Sequence, residues 1–139
     1  MEKQKTILYY CSTAHALIHA VILSFSVLII SIQDSFNISL TQTMAWGAIS
    51  VFIYGTAGIP AGHLSDKLGS LKMIIIGASI AVLSCVTLFF ASTQTIFIIG
   101  MAGLGFGSGF YHPSGVSILS KYFRESKRGK AMGIHGFLG

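Results

Sequence analysis

Hydrophobic positions along the chain fall into four long runs that are separated by short polar segments. The runs cover about residues 7–32, 44–61, 73–91 and 96–119, and none of them contains Asp, Glu, Lys or Arg. Each run is close to the roughly 20 residues that a helix needs to cross the hydrocarbon core of a bilayer. The pattern therefore predicts an all-α membrane protein with four complete transmembrane helices, numbered 1 to 4 in chain order.

A fifth apolar segment, rich in small residues, begins near residue 131 and reaches Gly139. It is too short to cross a bilayer and predicts the start of a fifth helix. A helix that stopped inside the hydrocarbon region would leave backbone groups unpaired, which lipid penalises heavily. We therefore expect residues 1–139 to form one partial domain, the N-terminal fragment of a longer membrane protein whose C-terminal half is missing.

Charged residues make up 9% of the chain, against about 25% in soluble domains. All nine Lys and Arg residues lie before the first run, between the second and third, or after the fourth. The segments on the opposite side, residues 33–43 and 92–95, carry none. Because basic loops stay in the cytoplasm, we expect a multi-pass plasma-membrane protein with a cytoplasmic N-terminus. The bilayer is the expected partner, and the net charge of +5 requires no nucleic acid.

The cytoplasmic segment between predicted helices 2 and 3, residues 62–72, resembles the signature loop of the major facilitator superfamily. In that family the order is Gly, any residue, Leu, a small residue, Asp, a basic residue, any residue and Gly, followed by two basic residues. Gly62, Asp66, Lys67 and Gly69 match this order in register. The resemblance implies the N-terminal portion of a twelve-helix secondary transporter, which moves a small organic solute by alternating access.

The resemblance also implies roles for individual residues of this loop. Asp66 is expected to help hold the two halves of a full transporter together in one conformational state, and Lys67 is expected to join the same charge network. The partners of both residues would lie in the missing C-terminal half. Ser70 and Leu71 stand where the family has basic residues, which weakens the expected network.

Predicted helix 4 contains a second segment with a family likeness. Residues 105–113, Gly-Phe-Gly-Ser-Gly-Phe-Tyr-His-Pro, are similar to helix 4 of the fosmidomycin-resistance-like branch of the superfamily. Other branches carry an arginine associated with proton coupling at the position that Met101 occupies here. That particular coupling device is therefore absent from this sequence.

Glycine and proline positions predict how helices 2 and 4 pack and bend. Small residues four apart, such as Gly105 and Gly109, let a neighbouring helix approach closely. Gly107 lies on an adjoining face of helix 4 and allows a close approach there as well. Pro60 in helix 2 and Pro113 in helix 4 each remove a helix hydrogen bond, so we expect helix 4 to bend at its proline. The simplest interpretation of the glycines is close packing without a ligand role.

Histidines are the strongest candidates for chemistry within the predicted helices. Imidazole, with an unperturbed pKa near 6.5, changes charge most readily near neutral pH. At about 1.5 Å per residue, His19 lies about 18 Å along helix 1 and His112 about 14 Å above the cytoplasmic end of helix 4. The family resemblance places helices 1 and 4 in the cavity wall. We therefore expect His19 and His112 to face one another, with Tyr111 and Ser108, on a pathway for substrate or protons.

Each histidine also has a plainer interpretation as a neutral side chain that hydrogen bonds between helices. This interpretation is favoured for His15, while His63 and His135 are expected near the cytoplasmic surface. His15 and His19 have the spacing of a metal pair but lack the third ligand and the Glu of a catalytic zinc helix. The glycine-rich segment 105–109 follows no predicted strand, which argues against a nucleotide site. No metal and no cofactor are predicted.

Other functions agree less well with the sequence. An enzyme is not expected, because no nucleophile, base and orienting carboxylate can be assembled from the few acidic residues. A four-helix exporter that works as a small oligomer normally relies on a membrane-embedded carboxylate, which the four apolar runs lack. A non-transporting membrane subunit or a vestigial fragment is the other alternative to a transporter.

Overall fold

The computed structural model of this chain describes residues 2–139, which form six α-helices. The helices are α1 (Glu2–Phe36), α2 (Leu40–Leu68), α3 (Ser70–Phe89), α4 (Gln94–Gly109), α5 (Tyr111–Tyr122) and α6 (Glu125–Phe137). No strand occurs within the described residues. The prediction of an all-α protein is therefore confirmed.

Three of the helices, α1, α2 and α3, are long and apolar enough to cross a membrane. The fourth predicted span is divided into α4, of 16 residues, and α5, of 12 residues, with Phe110 alone between them. Phe110 keeps helical backbone angles, but its amide bonds to the carbonyl of Gly107, three residues back instead of four. Pro113 explains the irregularity, because it has no N–H to donate to the carbonyl of Gly109. The continuous helix predicted over residues 96–119 is thus interrupted.

Most helices extend beyond the apolar runs that predicted them. α1 extends the first run at both ends, and α6 begins at Glu125, well before the predicted start near residue 131. A helix ends where its backbone groups find other partners, not where its side chains become polar. At the start of α2, the Ser39 hydroxyl accepts from the Gln42 amide, and the Gln42 side chain accepts from the Ser39 amide. This complete capping box fixes the first residue of α2.

The segment predicted to be a loop between helices 2 and 3 is largely helical. Gly62, Asp66 and Lys67 lie in the last turns of α2, and Gly69 is the only residue between α2 and α3. The prediction of a loop over residues 62–72 is therefore wrong, because only Gly69 lies outside the two helices. Gly69 has φ 94° and ψ 134°, a conformation that a residue with a Cβ adopts only with strain. Its amide donates to the carbonyl of Ser65 at 3.0 Å and closes the end of α2.

Helix α4 packs against α2 through two of its glycines. A Cβ added at Gly109 would lie 2.6 Å from the carbonyl oxygen of Tyr54. A Cβ at Gly105 would collide with the carbonyl of Ser50, one turn earlier on α2. The two helices therefore touch through their main chains, and no side chain fits between them.

Helix α4 packs against α3 through a different glycine. A Cβ at Gly107 would lie 2.6 Å from the carbonyl oxygen of Gly77 and 2.7 Å from the amide nitrogen of Ala81. Gly77 is equally confined, because a Cβ there would lie 2.6 Å from the carbonyl oxygen of Gly107. The helices α2, α3 and α4 thus form a block held together by contacts between backbones.

Buried apolar side chains form two small clusters. One, where α1 ends and α2 and α4 begin, consists of Ile32, Trp46, Phe97 and Met101. The other joins α2 and α3 to the residue after α4 and consists of Ala57, Ala61, Met73 and Phe110. Polar and aromatic side chains occupy a third region, where α1 meets α5 and α6, and this region contains the candidate site.

Candidate functional site

Four of the five histidines of this chain gather where α1, α5 and α6 meet. His15 and His19 stand four residues apart on α1, a spacing that places two side chains on one face of a helix. His112 is the second residue of α5, and His135 lies on α6. These four residues are called the histidine cluster. The fifth, His63, is exposed on α2, outside the cluster.

His19 and His112 meet across the interface between α1 and α5. Their Nε2 atoms are 3.3 Å apart, and their rings are inclined at 83°. In a hydrogen bond between two neutral rings, one nitrogen donates and the other accepts, so the pair shares one hydrogen at this contact. Both side chains are half-buried, and His19 lies midway along α1. The two histidines that the sequence singled out are adjacent, and their place on a substrate or proton pathway stays a prediction.

His15 lies at the centre of the histidine cluster. Its ring is nearly perpendicular to those of His19 and His112, with centroids 4.6 and 4.8 Å away. Its Nδ1 lies 2.9 Å from the main-chain carbonyl oxygen of His135. Because a carbonyl only accepts, Nδ1 carries the hydrogen, and Nε2 of the neutral ring has a free lone pair. His15, which the sequence favoured as simple packing, is thus the residue around which the others are arranged.

His135 is not near the surface, as the sequence predicted, but buried in the cluster. It is 4% exposed, and its ring stacks on that of His15 with centroids 4.3 Å apart. The early start of α6 is the physical reason, because His135 is about 15 Å along a helix that begins at Glu125. Glu125 is an acidic residue in the first turn of α6, and acidic residues there are a sequence signal for the start of a helix. A helix start placed at Glu125 would have predicted His135 well inside the helix.

Tyr111 and Ser108, the other predicted pathway residues, are both buried. Tyr111 is 2% exposed, its hydroxyl donates to the main-chain carbonyl of Cys11, and its ring stacks on His15. It therefore fastens α5 to α1 beside the histidine cluster. Ser108 lines an apolar crevice of about 580 Å³ between α1 and α3, which Tyr111 also lines.

A third imidazole joins His15 and His19 in space, although none follows them closely in sequence. One ring nitrogen from each of His15, His19 and His112 lies within 4.8 Å of the other two. His112 therefore supplies the third possible ligand that the sequence around His15 and His19 lacks. Three neutral imidazoles this close can bind a transition metal or the polar groups of a solute.

The prolines and the first glycine of the signature occupy different environments. α2 passes through Pro60 without interruption, and the Pro60 side chain is exposed. Gly62 faces α5, where a Cβ would lie 3.7 Å from the Cβ of Pro113. The signature segment therefore packs beside the irregular start of α5, which carries His112.

A chain of serines that the sequence did not single out fixes this same junction. The Ser65 hydroxyl donates to Ser70, and the Ser70 hydroxyl donates to Ser117 on α5, each at 2.9 Å. Asp66 and Lys67 are exposed beside this chain. Isolated serines carry no sequence pattern, so only the fold shows that they link the α2–α3 junction to α5.

The three long apolar helices α1, α2 and α3 define a class, the polytopic membrane proteins. The sequence profile of the Major Facilitator Superfamily matches residues 11–139. The chain belongs to the Major Facilitator Superfamily, a family of transmembrane transporters. The family resemblance drawn from the signature residues is thereby confirmed, and the narrower assignment to the fosmidomycin-resistance-like branch stays a prediction.

Two curated relatives are similar to most of this chain. A probable L-galactonate transporter of Escherichia coli K12 is 28% identical over 111 residues, which cover 80% of this chain and 24% of the relative. The quinolone resistance protein NorB of Staphylococcus aureus JH9 is 26% identical over 101 residues, which cover 73% of this chain and 22% of the relative. The chain thus spans about a quarter of the length of these relatives. No solved structure matches it significantly.

Proposed function

We propose that this chain forms the first part of the N-terminal half of a secondary active transporter, which moves a small organic solute across the plasma membrane by alternating access. In this proposal α4 and α5 together make the fourth span, and α6 begins the fifth. The histidine cluster lines the central cavity, where His19 and His112 bind the solute or exchange a proton.

The contact between His19 and His112 is the observation that carries this proposal. Ionisable side chains inside a bilayer are costly and mark substrate or ion pathways by default. Sites of secondary transporters lie near the midplane, beside interrupted helices. His19 lies midway along α1, and His112 follows the interruption between α4 and α5. The name of the E. coli relative, a probable transporter of L-galactonate, supports a small organic solute.

Replacing the signature aspartate tests the transport proposal. In a transporter that contains this chain, Asp66→Asn is expected to reduce solute uptake into proteoliposomes, because an amide bonds more weakly than a carboxylate to the basic residues of the other half. A hydrogen bond to a charged group contributes about 1.5–3 kcal/mol. That range corresponds to a change of about 10- to 150-fold in the equilibrium between the two access states.

The only other aspartate, Asp34, provides a matched control. It is exposed at the end of α1 and lies outside the signature. Asp34→Asn removes the same charge and should leave uptake near the wild-type rate. Wild-type uptake by the Asp66→Asn transporter would contradict the role proposed for the signature.

Membrane orientation is tested by labelling engineered cysteines with an impermeant maleimide. Cys11 and Cys85 are first replaced, since both are free thiols. Ser35→Cys, at the exposed end of α1, should then react from outside the cell. Ser126→Cys, in the basic segment, should react only after the membrane is permeabilised, because basic segments stay in the cytoplasm. The opposite labelling pattern would reverse the proposed orientation.

A further inference from the structure

We propose that His15, His19 and His112 form a binding site for a divalent transition-metal ion of the kind that imidazole prefers, such as Zn²⁺. One ring nitrogen from each lies within 4.8 Å of the other two. The three rings are nearly perpendicular to one another, with interplanar angles of 84°, 86° and 83°. Rings that are perpendicular can direct one nitrogen lone pair each toward a common point without stacking on one another. This inference goes beyond the proposed transport function and does not depend on it.

The separation of His19 and His112 already matches one edge of a tetrahedral metal site. Zn–N distances of about 2.0–2.1 Å set the nitrogen–nitrogen edge of a tetrahedron at roughly 3.3–3.4 Å. The Nε2 atoms of these two residues are 3.3 Å apart. The widest separation within the group is 4.8 Å. Closing it requires a ring nitrogen of His19 or His112, which are both half-buried, to move by roughly 1.5 Å, while His15 keeps its bond to His135.

His15 is oriented as a metal-binding histidine usually is. Such histidines donate their other ring N–H to a carboxylate or a main-chain carbonyl, which fixes the tautomer and the ring orientation. The Nδ1 of His15 makes this bond to the carbonyl of His135, at 2.9 Å. His15 is 6% exposed, and its Nε2 is buried without a hydrogen-bond partner among residues 2–139. His135 is therefore a positioning residue, which acts through its main chain.

The neighbouring polar groups favour a bound ion over simple packing. The Ser12 hydroxyl, one turn before His15 on α1, and the Nε2 of His15 itself are buried and have no hydrogen-bond partner within residues 2–139. Such unpaired groups are uncommon inside folded proteins. The three-histidine group contains no carboxylate. The ion would keep its positive charge and an open fourth position for water or an anionic group.

Zn²⁺ binding to the purified chain tests this site directly. The 139-residue chain, freed of any histidine tag and held in detergent micelles, is titrated with Zn²⁺ in a calorimeter, and Co²⁺ serves as the spectroscopic probe. We expect one Zn²⁺ per chain and a tetrahedral Co²⁺ spectrum. His19→Ala and His112→Ala should each weaken Zn²⁺ binding at least about tenfold, because loss of even an orienting contact costs this much.

His63→Ala is the matched control, since it removes an imidazole that is exposed on α2, and it should bind Zn²⁺ as the wild type does. If His112→Ala loses helicity by circular dichroism, His112→Gln replaces it, because glutamine keeps a polar side chain of similar size without the imidazole. Absence of stoichiometric binding, or unchanged affinity in folded His19→Ala and His112→Gln, would overturn the metal site. The transport proposal would stand in that case, because no transport is measured.

Discussion

A transporter that contains this chain is expected to lose most of its solute uptake when it carries His112→Ala. The substitution removes the partner of His19, whose Nε2 lies 3.3 Å from that of His112, and leaves a polar group unpaired inside the membrane. An unsatisfied buried group costs about 1–3 kcal/mol, which corresponds to a loss of roughly 5- to 150-fold in affinity for a bound solute. Uptake into proteoliposomes, measured at equal amounts of inserted protein, checks the result.

Glutamine substitutions separate a cavity role from a packing role. His19→Gln and His112→Gln retain a donor and an acceptor that can bond across α1 and α5, so both should transport normally if the histidines only hold helices together. If these imidazoles bind the solute or a proton, both variants should be impaired, while His63→Gln stays active. Full activity of both cluster variants would reject the cavity site and leave the family assignment unchanged.

Gly107→Leu is expected to destabilise the helix block by at least about 3 kcal/mol, because overpacking a filled interior costs 1–3 kcal/mol even for small additions. The first side-chain atom would already lie 2.6 Å from the carbonyl oxygen of Gly77. The free energy of unfolding in detergent, followed by circular dichroism during denaturant titration, measures the effect.

Gly55→Leu is the matched control for this substitution. Gly55 lies inside α2, and a Cβ there would meet nothing within 4 Å. Leucine also has a higher helix propensity than glycine, so the control should be neutral or slightly stabilising. Equal destabilisation by the two leucine variants would show that packing against α3 does not determine the effect.

Apolar runs predict where the helices are, and backbone chemistry decides where they end. The run over residues 73–91 places α3 closely, because its boundaries coincide with a glycine turn and a short polar loop. The same reasoning misses the first turns of α6, because four of residues 125–130 are charged, and Glu, Lys and Arg form a helix as readily as apolar residues do. The proline itself predicts a bend at Pro113. It does not show that the helix is divided at Phe110, three residues earlier.

The candidate site is only partly predictable for a related reason. His19 and His112 stand out as ionisable residues within apolar runs, and the structure places them in contact. The central position of His15 depends on how α1, α5 and α6 are rotated about their axes, which spacing within one helix does not fix. The sequence places His135 near the surface because the apolar segment begins only near residue 131, whereas α6 begins at Glu125.

The hydrogen bond from Tyr111 to α1 ends on the main-chain carbonyl of Cys11, not on its thiol. Every residue type presents the same acceptor, so position 11 can change during evolution without loss of this bond, provided that the new side chain fits the space. Position 111 has no such freedom, because only a phenolic hydroxyl on a rigid ring reaches that carbonyl. We therefore expect conservation at position 111 alone, so that a search for covarying positions would not detect this link between α1 and α5.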